Sequence, residues 1–352
     1  MRQVTVVCDL QFGSTGKGLI AGYLAERDKP DTVVTAWSMN AGHTYINRDG
    51  RKFVHCMLAN GIVSPNLRQV LIGPGSQIGL DRLFAEIEEC QDLLQGVQII
   101  IHENACVIQE RHILEEGGSM TAIGSTKKGC GAAMIEKIRR NPESVITARD
   151  FTNEVLAFSD RLNIDISTAT SENYNKALDR SENVLVEGAQ GYSLGINSGF
   201  YPYTTSRECT PAQIMVDAGV PMRWLTKIVG TMRTYPIRVA NRFNKDGEMI
   251  GWSGPCYSDQ KEITFNDLGQ PVELTTVTQL PRRIFTFSRK QTEDALRAVQ
   301  PDEVFLNFVN YCRDEQHSAF IVSVINNVAN NVGCGGVKYL GFGPTFDNVR
   351  EL

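Results

Sequence analysis

Residues 9–18, DLQFGSTGKG, constrain this chain more than any other stretch. Val4, Val6, Val7 and Cys8 before them read as a buried strand. Leu19, Ile20, Tyr23 and Leu24 after them recur at helical spacing, so Gly13, Ser14, Thr15, Gly16 and Lys17 fall in a strand-to-helix turn. Glycines there let backbone approach a ligand closely, the first N–H groups of a helix point at whatever lies beyond its end, and Lys17 adds a full positive charge where the helix end already attracts anions. The stretch departs from the pattern G-x-x-x-x-G-K-[ST]: Gln11 replaces the first glycine and Gly18 the last hydroxyl. On these residues alone it is either a P-loop-like phosphate-binding turn of another kind or a glycine turn with a solvated lysine.

Composition narrows what surrounds such a turn. With 352 residues, 42% of them hydrophobic, the chain can bury a large core. A net charge of -5 without a long basic block argues against affinity for a nucleic-acid backbone and for a small-molecule site with local positive charge. The apolar runs, such as 97–101, are too short to span a bilayer, and no secretory segment precedes the first strand. Nine cysteines stand singly, without the close pairs that zinc or redox motifs use. They are expected to be buried thiols of a cytoplasmic protein with neither nucleic acid nor membrane as partner.

Further along, apolar strands at 32–37, 70–72, 98–101, 184–187, 227–232, 235–239 and 304–309 alternate with helical stretches such as 81–94, the pattern of an α/β class. Three more polar, glycine-bearing loops follow these elements. Asn40, Gly42, His43 and Thr44 come after the second strand; Ser125, Thr126 and two lysines stand between Gly124 and Gly129; Gly188, Gln190 and Gly191 follow the 184–187 strand. In an open α/β sheet, loops at the carboxyl ends of parallel strands face one crevice. His43 reads equally as a satisfied turn histidine or a catalytic one, and the 124–129 loop as a phosphate site or a basic solvated turn. A polar, turn-rich stretch at 247–281 ends in threonines and Arg282-Arg283, either a clamp for a dicarboxylate or an edge strand with solvated arginines.

Gln11-Phe12-Gly13 with Gly16-Lys17-Gly18, then Asn40-Ala41-Gly42-His43-Thr44, Glu187-Gly188-Ala189-Gln190-Gly191, Tyr201-Pro202-Tyr203 and Pro281-Arg282-Arg283 together resemble adenylosuccinate synthetase, in the same order and over nearly the whole chain. The resemblance implies one α/β domain over 1–352, a single large unit with a central, mostly parallel sheet flanked by helices and smaller subdomain insertions. It implies a ligase that joins L-aspartate to the 6-position of a purine nucleotide through a 6-phosphoryl intermediate, using a nucleoside triphosphate and Mg²⁺. Ser14, Lys17, His43 and Gln190 take the catalytic positions. The triphosphate falls to Gly13, Ser14, Thr15, Gly16, Lys17 and Gly18, to Gly42, His43, Thr44 and Gln190, and to Asn307, Gly341 and Gly343. The monophosphate falls to Ser14, Asn40, Ser125, Thr126, Gln190 and Thr205, with Arg140 reaching across a two-fold interface, which implies a homodimer. Aspartate falls to Thr276, Val277, Thr278 and Arg282, and the metal to Ser14 and the Gly42 carbonyl.

Three departures from the family pattern bear on substrate. Ser14 stands where the family has an aspartate that deprotonates purine N1, and a shorter, neutral side chain leaves room for the 2-amino group of guanine and can accept a hydrogen bond from it. Leu280 replaces an arginine that reaches the ribose 2′-hydroxyl, which favours a deoxyribose. Leu306-Asn307-Phe308 stands for the Lys-Leu-Asp that reads the guanine of GTP, which favours ATP or dATP. Together they resemble the phage-type branch of the family, which takes dGMP toward diaminopurine deoxynucleotides in the host cytoplasm, with ADP, phosphate and 2-amino-2′-deoxy-N6-succinyladenylate as products. The alternatives are an enzyme that still uses IMP and GTP, and a nucleotide-binding protein that has lost catalysis.

Overall fold

The computed structural model describes residues 2–275 and 279–352. The strand expected before the phosphate turn is β1, Gln3–Asp9, and it sits inside a ten-stranded sheet. From one edge the order is Val349–Glu351, Val337–Gly341, Glu303–Asn307, Leu225–Arg233, β1, Asn183–Glu187, Thr32–Thr35, Gln69–Ile72, Gln98–His102 and Ile166–Ala169. Neighbours pair in parallel except at the edge, where Val349–Glu351 runs antiparallel to Val337–Gly341.

Both faces of the sheet are covered, and β1 shows why its sequence is a near-continuous apolar run. Val4, Val6 and Cys8 pack into one core with Met215 and Leu296, while Val7 packs into the other with Ile20 and Leu24. Ile20 and Leu24 belong to α1, Lys17–Asp28, whose apolar stripe lies on the sheet. Each such side chain taken out of water contributes about 1.5–3 kcal/mol. That burial anchors the turn between β1 and α1 against a rigid support.

Several elements are shorter than their patterns suggest. The helix expected over 81–94 is α2, Leu80–Glu89; two tight turns then carry Leu94 into the core. Of 235–239 only Ile237–Arg238 forms a strand, against Arg283–Phe285; Pro236 beside it has no N–H to donate and joins through its carbonyl, which accepts from the Phe285 N–H at 2.8 Å. The strand expected at 304–309 stops at Asn307, where Phe308 turns left-handed with φ 58° and opens a short 3-10 turn, Val309–Tyr311. The 32–37 strand stops at Thr35.

Two further helices, α3 (Glu110–Ser119) and α4 (Cys130–Arg139), pack together and carry a polar loop between them. The polar region after residue 234 forms a small sheet of Ile237–Arg238, Glu262–Ile263 and Arg283–Phe285, and a hairpin of Arg242–Phe243 with Met249–Gly251. These are the smaller insertions. All nine cysteines are free thiols; Cys8, Cys90, Cys106, Cys130 and Cys209 are buried and the other four are half-buried. No helix among the described residues is long and apolar enough to cross a membrane.

Candidate active site

Asp9, the last residue of β1, organises the phosphate turn. Its buried carboxylate accepts from the N–H groups of Gln11 (2.7 Å) and Gly13 (3.3 Å) through Oδ1, and from the Thr15 hydroxyl (2.5 Å) and Lys17 Nζ (3.0 Å) through Oδ2. Lys17 also donates to the Gln190 carbonyl at 2.7 Å. Two of its three ammonium hydrogens are thus spent on position, and the third is available to a phosphate. Breaking a buried pair like this costs about 3–5 kcal/mol. The Thr15 side chain is buried and turned onto Asp9 and Thr231, so what Thr15 can offer a triphosphate is its backbone, the part of this turn expected to hold phosphate. Sequence reasoning passed over Asp9, whose signal was a carboxylate at the end of an apolar strand, eight residues before the lysine.

The second loop meets the first. Gln190, with φ 54°, donates to Asn40 Oδ1 at 2.7 Å and so ties the loop after Asn183–Glu187 to the loop after Thr32–Thr35. His43 packs edge-on against Trp37, with ring centroids 4.0 Å apart. Its Nδ1 lies 3.8 Å from Glu187 Oε2, and both atoms are buried without a hydrogen-bond partner among the described residues. Glu187 Oε1 is fixed by the Gly61 N–H at 2.7 Å. Burial pushes the Glu187 carboxyl up to about 8. Burial and the charge of Lys17 hold His43 well below its usual range. At neutral pH His43 is therefore a neutral imidazole that turns Nδ1 toward Glu187 and leaves Nε2 for the cavity. Glu187 is a second residue whose part was not read from the sequence, although it stands in a quoted motif.

These loops enclose one cavity of about 670 Å³. Gly13, Ser14, Gly16, Lys17 and Gly18 line it from the first loop, and Asn40, Gly42, His43 and Thr44 from the second. Ser125, Thr126, Gln190 and Thr205 form a third side, and Arg282, Asn307 and Gly343 complete it. Burial pulls the Arg282 guanidinium down to about 10. Thr276, Val277 and Thr278 lie outside the described residues.

Of the expected triphosphate contacts Gly341 does not line the cavity, and neither do the departures Leu280 and Leu306. Gly341 lies behind Asn307, whose Oδ1 would stand 2.2 Å from a Cβ placed there, so it backs the wall without lining it. Leu306 is fully buried in the core; Phe308, Asn310 and Tyr311 face the cavity instead, because the left-handed turn at Phe308 reverses which side chains point inward. Leu280 does not line the cavity, its N–H bonding Thr275 Oγ1 at 3.0 Å, and the apolar wall from that region is Leu274. Arg140 caps α4 in the open and does not line the cavity of its own chain.

One cluster had no sequence signal. Arg233, wholly buried at the end of Leu225–Arg233, grips Glu273 through both terminal nitrogens (3.1 and 2.5 Å), donates to the Ser14 carbonyl at 3.3 Å and lies 3.8 Å over the Phe308 ring. One guanidinium thus joins the phosphate turn, Glu273, whose carbonyl accepts from the Arg282 N–H at 2.9 Å, and the 307–311 turn.

The chain matches the family model for adenylosuccinate synthetase over residues 6–149 and 143–314. It belongs to the adenylosuccinate synthetase family. Within that family it is similar to the N6-succino-2-amino-2′-deoxyadenylate synthase of Acinetobacter phage SH-Ab 15497, at 59% identity over 99% of this chain and 94% of the relative. It is also similar to the succinoaminodeoxyadenylate synthetase of cyanophage S-2L, solved with dGMP and with dATP as an energy donor: TM-score 0.87, 40% identity, covering 100% of this chain and 95% of the other. The adenylosuccinate synthetase of Plasmodium falciparum shares the fold, with TM-score 0.75 at 19% identity over 99% of each chain.

Against the family pattern, Ser14 is the departure that the geometry places best. It has φ 54°, it is exposed, and it lines the cavity beside Lys17.

Proposed function

We propose that this chain is a ligase that joins L-aspartate to the 6-position of dGMP, with ATP or dATP as the phosphate donor. The observation that carries the reading is Ser14: a neutral hydroxyl exposed in the phosphate turn, at the family's aspartate position, in a cavity that keeps Lys17, His43 and Gln190. A guanine base with its 2-amino group fits beside that hydroxyl, which accepts where a larger carboxylate would crowd. Similarity to phage enzymes that carry this activity in their names, one of them solved with dGMP and dATP, supports the same choice.

The chemistry divides into two displacements. The γ-phosphoryl group moves to O6 of the purine and the nucleoside diphosphate leaves; the aspartate amine then attacks C6, O6 departs as inorganic phosphate, and the amine proton passes to water or to that phosphate. Lys17 and the backbone N–H groups of the turn stabilise charge on the phosphoryl group in flight, the role that preorganised donors play in such transfers. The neutral His43, donating from Nε2, polarises O6 and later stabilises its departure. Ser14 relays the N1 proton to water or to a substrate phosphate. Arg282 takes a carboxylate of aspartate.

Magnesium fits a limited donor set. Asp9 is spent on four donors, and the cavity offers the Ser14 hydroxyl and the Gly42 carbonyl, neutral oxygens that suit an ion arriving with its phosphate and water ligands. Bound there, Mg²⁺ neutralises phosphate charge. Arg140, exposed and away from its own cavity, completes the site of a second copy in the homodimer of this reading.

The test is phosphate release with L-aspartate, Mg²⁺ and ATP, comparing dGMP, GMP and IMP and identifying products by mass. Turnover with dGMP well above the other two is expected. Turnover with IMP alone returns the chain to ordinary adenylosuccinate synthesis, and silence with all three leaves a nucleotide-binding protein.

A further inference from the structure

The loop between α3 and α4 presents Ser125 and Thr126 to the cavity but has no regular structure of its own, so something else must hold its shape. On the helix side, Lys127 Nζ donates to Thr121 Oγ1 (2.6 Å) and the Gly117 carbonyl (3.2 Å), and the buried Glu116 carboxylate takes the N–H groups of Gly129 (2.8 Å) and Gly131 (2.6 Å). The opposite side is supplied by the hairpin of Arg242–Phe243 and Met249–Gly251, which does not itself line the cavity. The Trp252 N–H bonds the Ala122 carbonyl at 3.0 Å, and Arg242 Nη2 bonds the Ser125 carbonyl at 2.9 Å. Gly251 packs so closely that a Cβ would stand 2.1 Å from the Thr121 carbonyl oxygen. The outer face, with Phe243, Met249 and Ile250, is exposed.

We propose that this hairpin is a clamp that holds the 121–126 loop in its binding shape before ligand arrives, with Arg242 as a positioning residue for Ser125 and Thr126. Its functional part rests on the reading of that loop as the monophosphate subsite. A loop ordered in advance spares the nucleotide the cost of ordering it. The clamp therefore acts on the affinity for dGMP and leaves the transfer step and the triphosphate side alone.

Two readouts on Arg242→Ala test it. Amide hydrogen exchange over 121–126 should quicken about tenfold or more, while exchange in the central sheet is unchanged. The KM for dGMP should rise about fivefold or more, with kcat and the KM for ATP within about twofold of the parent. Arg242→Lys, which keeps a donor for the Ser125 carbonyl, should recover most of the loss. Gly251→Val, which pushes on the Thr121 carbonyl and on the stem of Arg242 while keeping the guanidinium, should move both readouts the same way, and it serves as the second variant where Arg242→Ala folds poorly. Unchanged loop exchange overturns the clamp, and faster exchange with an unmoved KM for dGMP overturns the positioning role. If the parent protein does not turn over dGMP, the functional reading falls, and loop exchange still decides the clamp.

Discussion

Glu187 and His43 show how two ordinary side chains acquire shifted protonation, Glu187 from burial and His43 from burial together with the charge of Lys17. In the folded chain Glu187 keeps its proton up to about 8, whereas the unfolded chain releases it near 4.5. The folded state therefore binds more protons across that window, and the Glu187 contribution to stability is lost as pH rises through it. His43 has the opposite sign: its folded value lies well below 6.5, so its contribution is lost as pH falls below 6.5. Glu187→Gln keeps an amide oxygen for the Gly61 N–H and removes the titration. The unfolding free energy of this variant, relative to the parent, should rise by on the order of 2 kcal/mol between pH 5 and pH 8 in paired denaturation curves. Parallel curves would mean that Glu187 is ionised throughout. Ser14 supplies the other residue-scale prediction. Ser14→Ala should lower kcat with dGMP by about 10- to 100-fold with little change in KM, as expected for loss of a proton path; full turnover would rule out the relay.

At the scale of elements, the turn from β1 to α1 depends on backbone as much as on side chains. Gly16 has φ 94°, and a Cβ there would lie 2.2 Å from Asn307 Nδ2. Gly16→Ala should therefore cost about 1–3 kcal/mol of stability and weaken triphosphate binding in a titration monitored by calorimetry. Adding Asn307→Ala removes the clash but leaves the backbone strain, so the double variant should recover only part of the loss; complete recovery would show that φ was not the constraint. The same turn was legible in the sequence because strand and helix periodicity frame it within a few residues. Asp9 was not, since its partners Lys17 and Thr15 signal a carboxylate only once the turn is folded back on the strand end.

For the molecule as a whole, the position of Arg140 leads to a test of assembly. If Arg140 serves the partner's site, Lys17→Ala and Arg140→Ala variants are each inactive alone, and mixing them should restore about a quarter of parental activity through heterodimers with one intact site. Activity no greater than the sum of the two separate variants would place Arg140 outside the reaction.

The α/β class, the parallel strands and four of the loops around the cavity were readable from the chain, because hydrophobic periodicity and glycine spacing are local properties that folding amplifies without changing. Residues of contiguous motifs, Lys17, Asn40, His43 and Gln190, come together at one cavity. Tertiary structure decided what depends on residues distant in sequence: that Thr15 turns inward to Asp9, that Leu306 is core while Phe308 and Asn310 face the cavity, and that Arg233 binds Ser14, Glu273 and Phe308 at once. A one-residue change in where a strand ends reverses which side chains face a ligand, and a buried charge takes its partner from whatever the fold brings within about 3 Å. Neither is encoded in spacing along the chain.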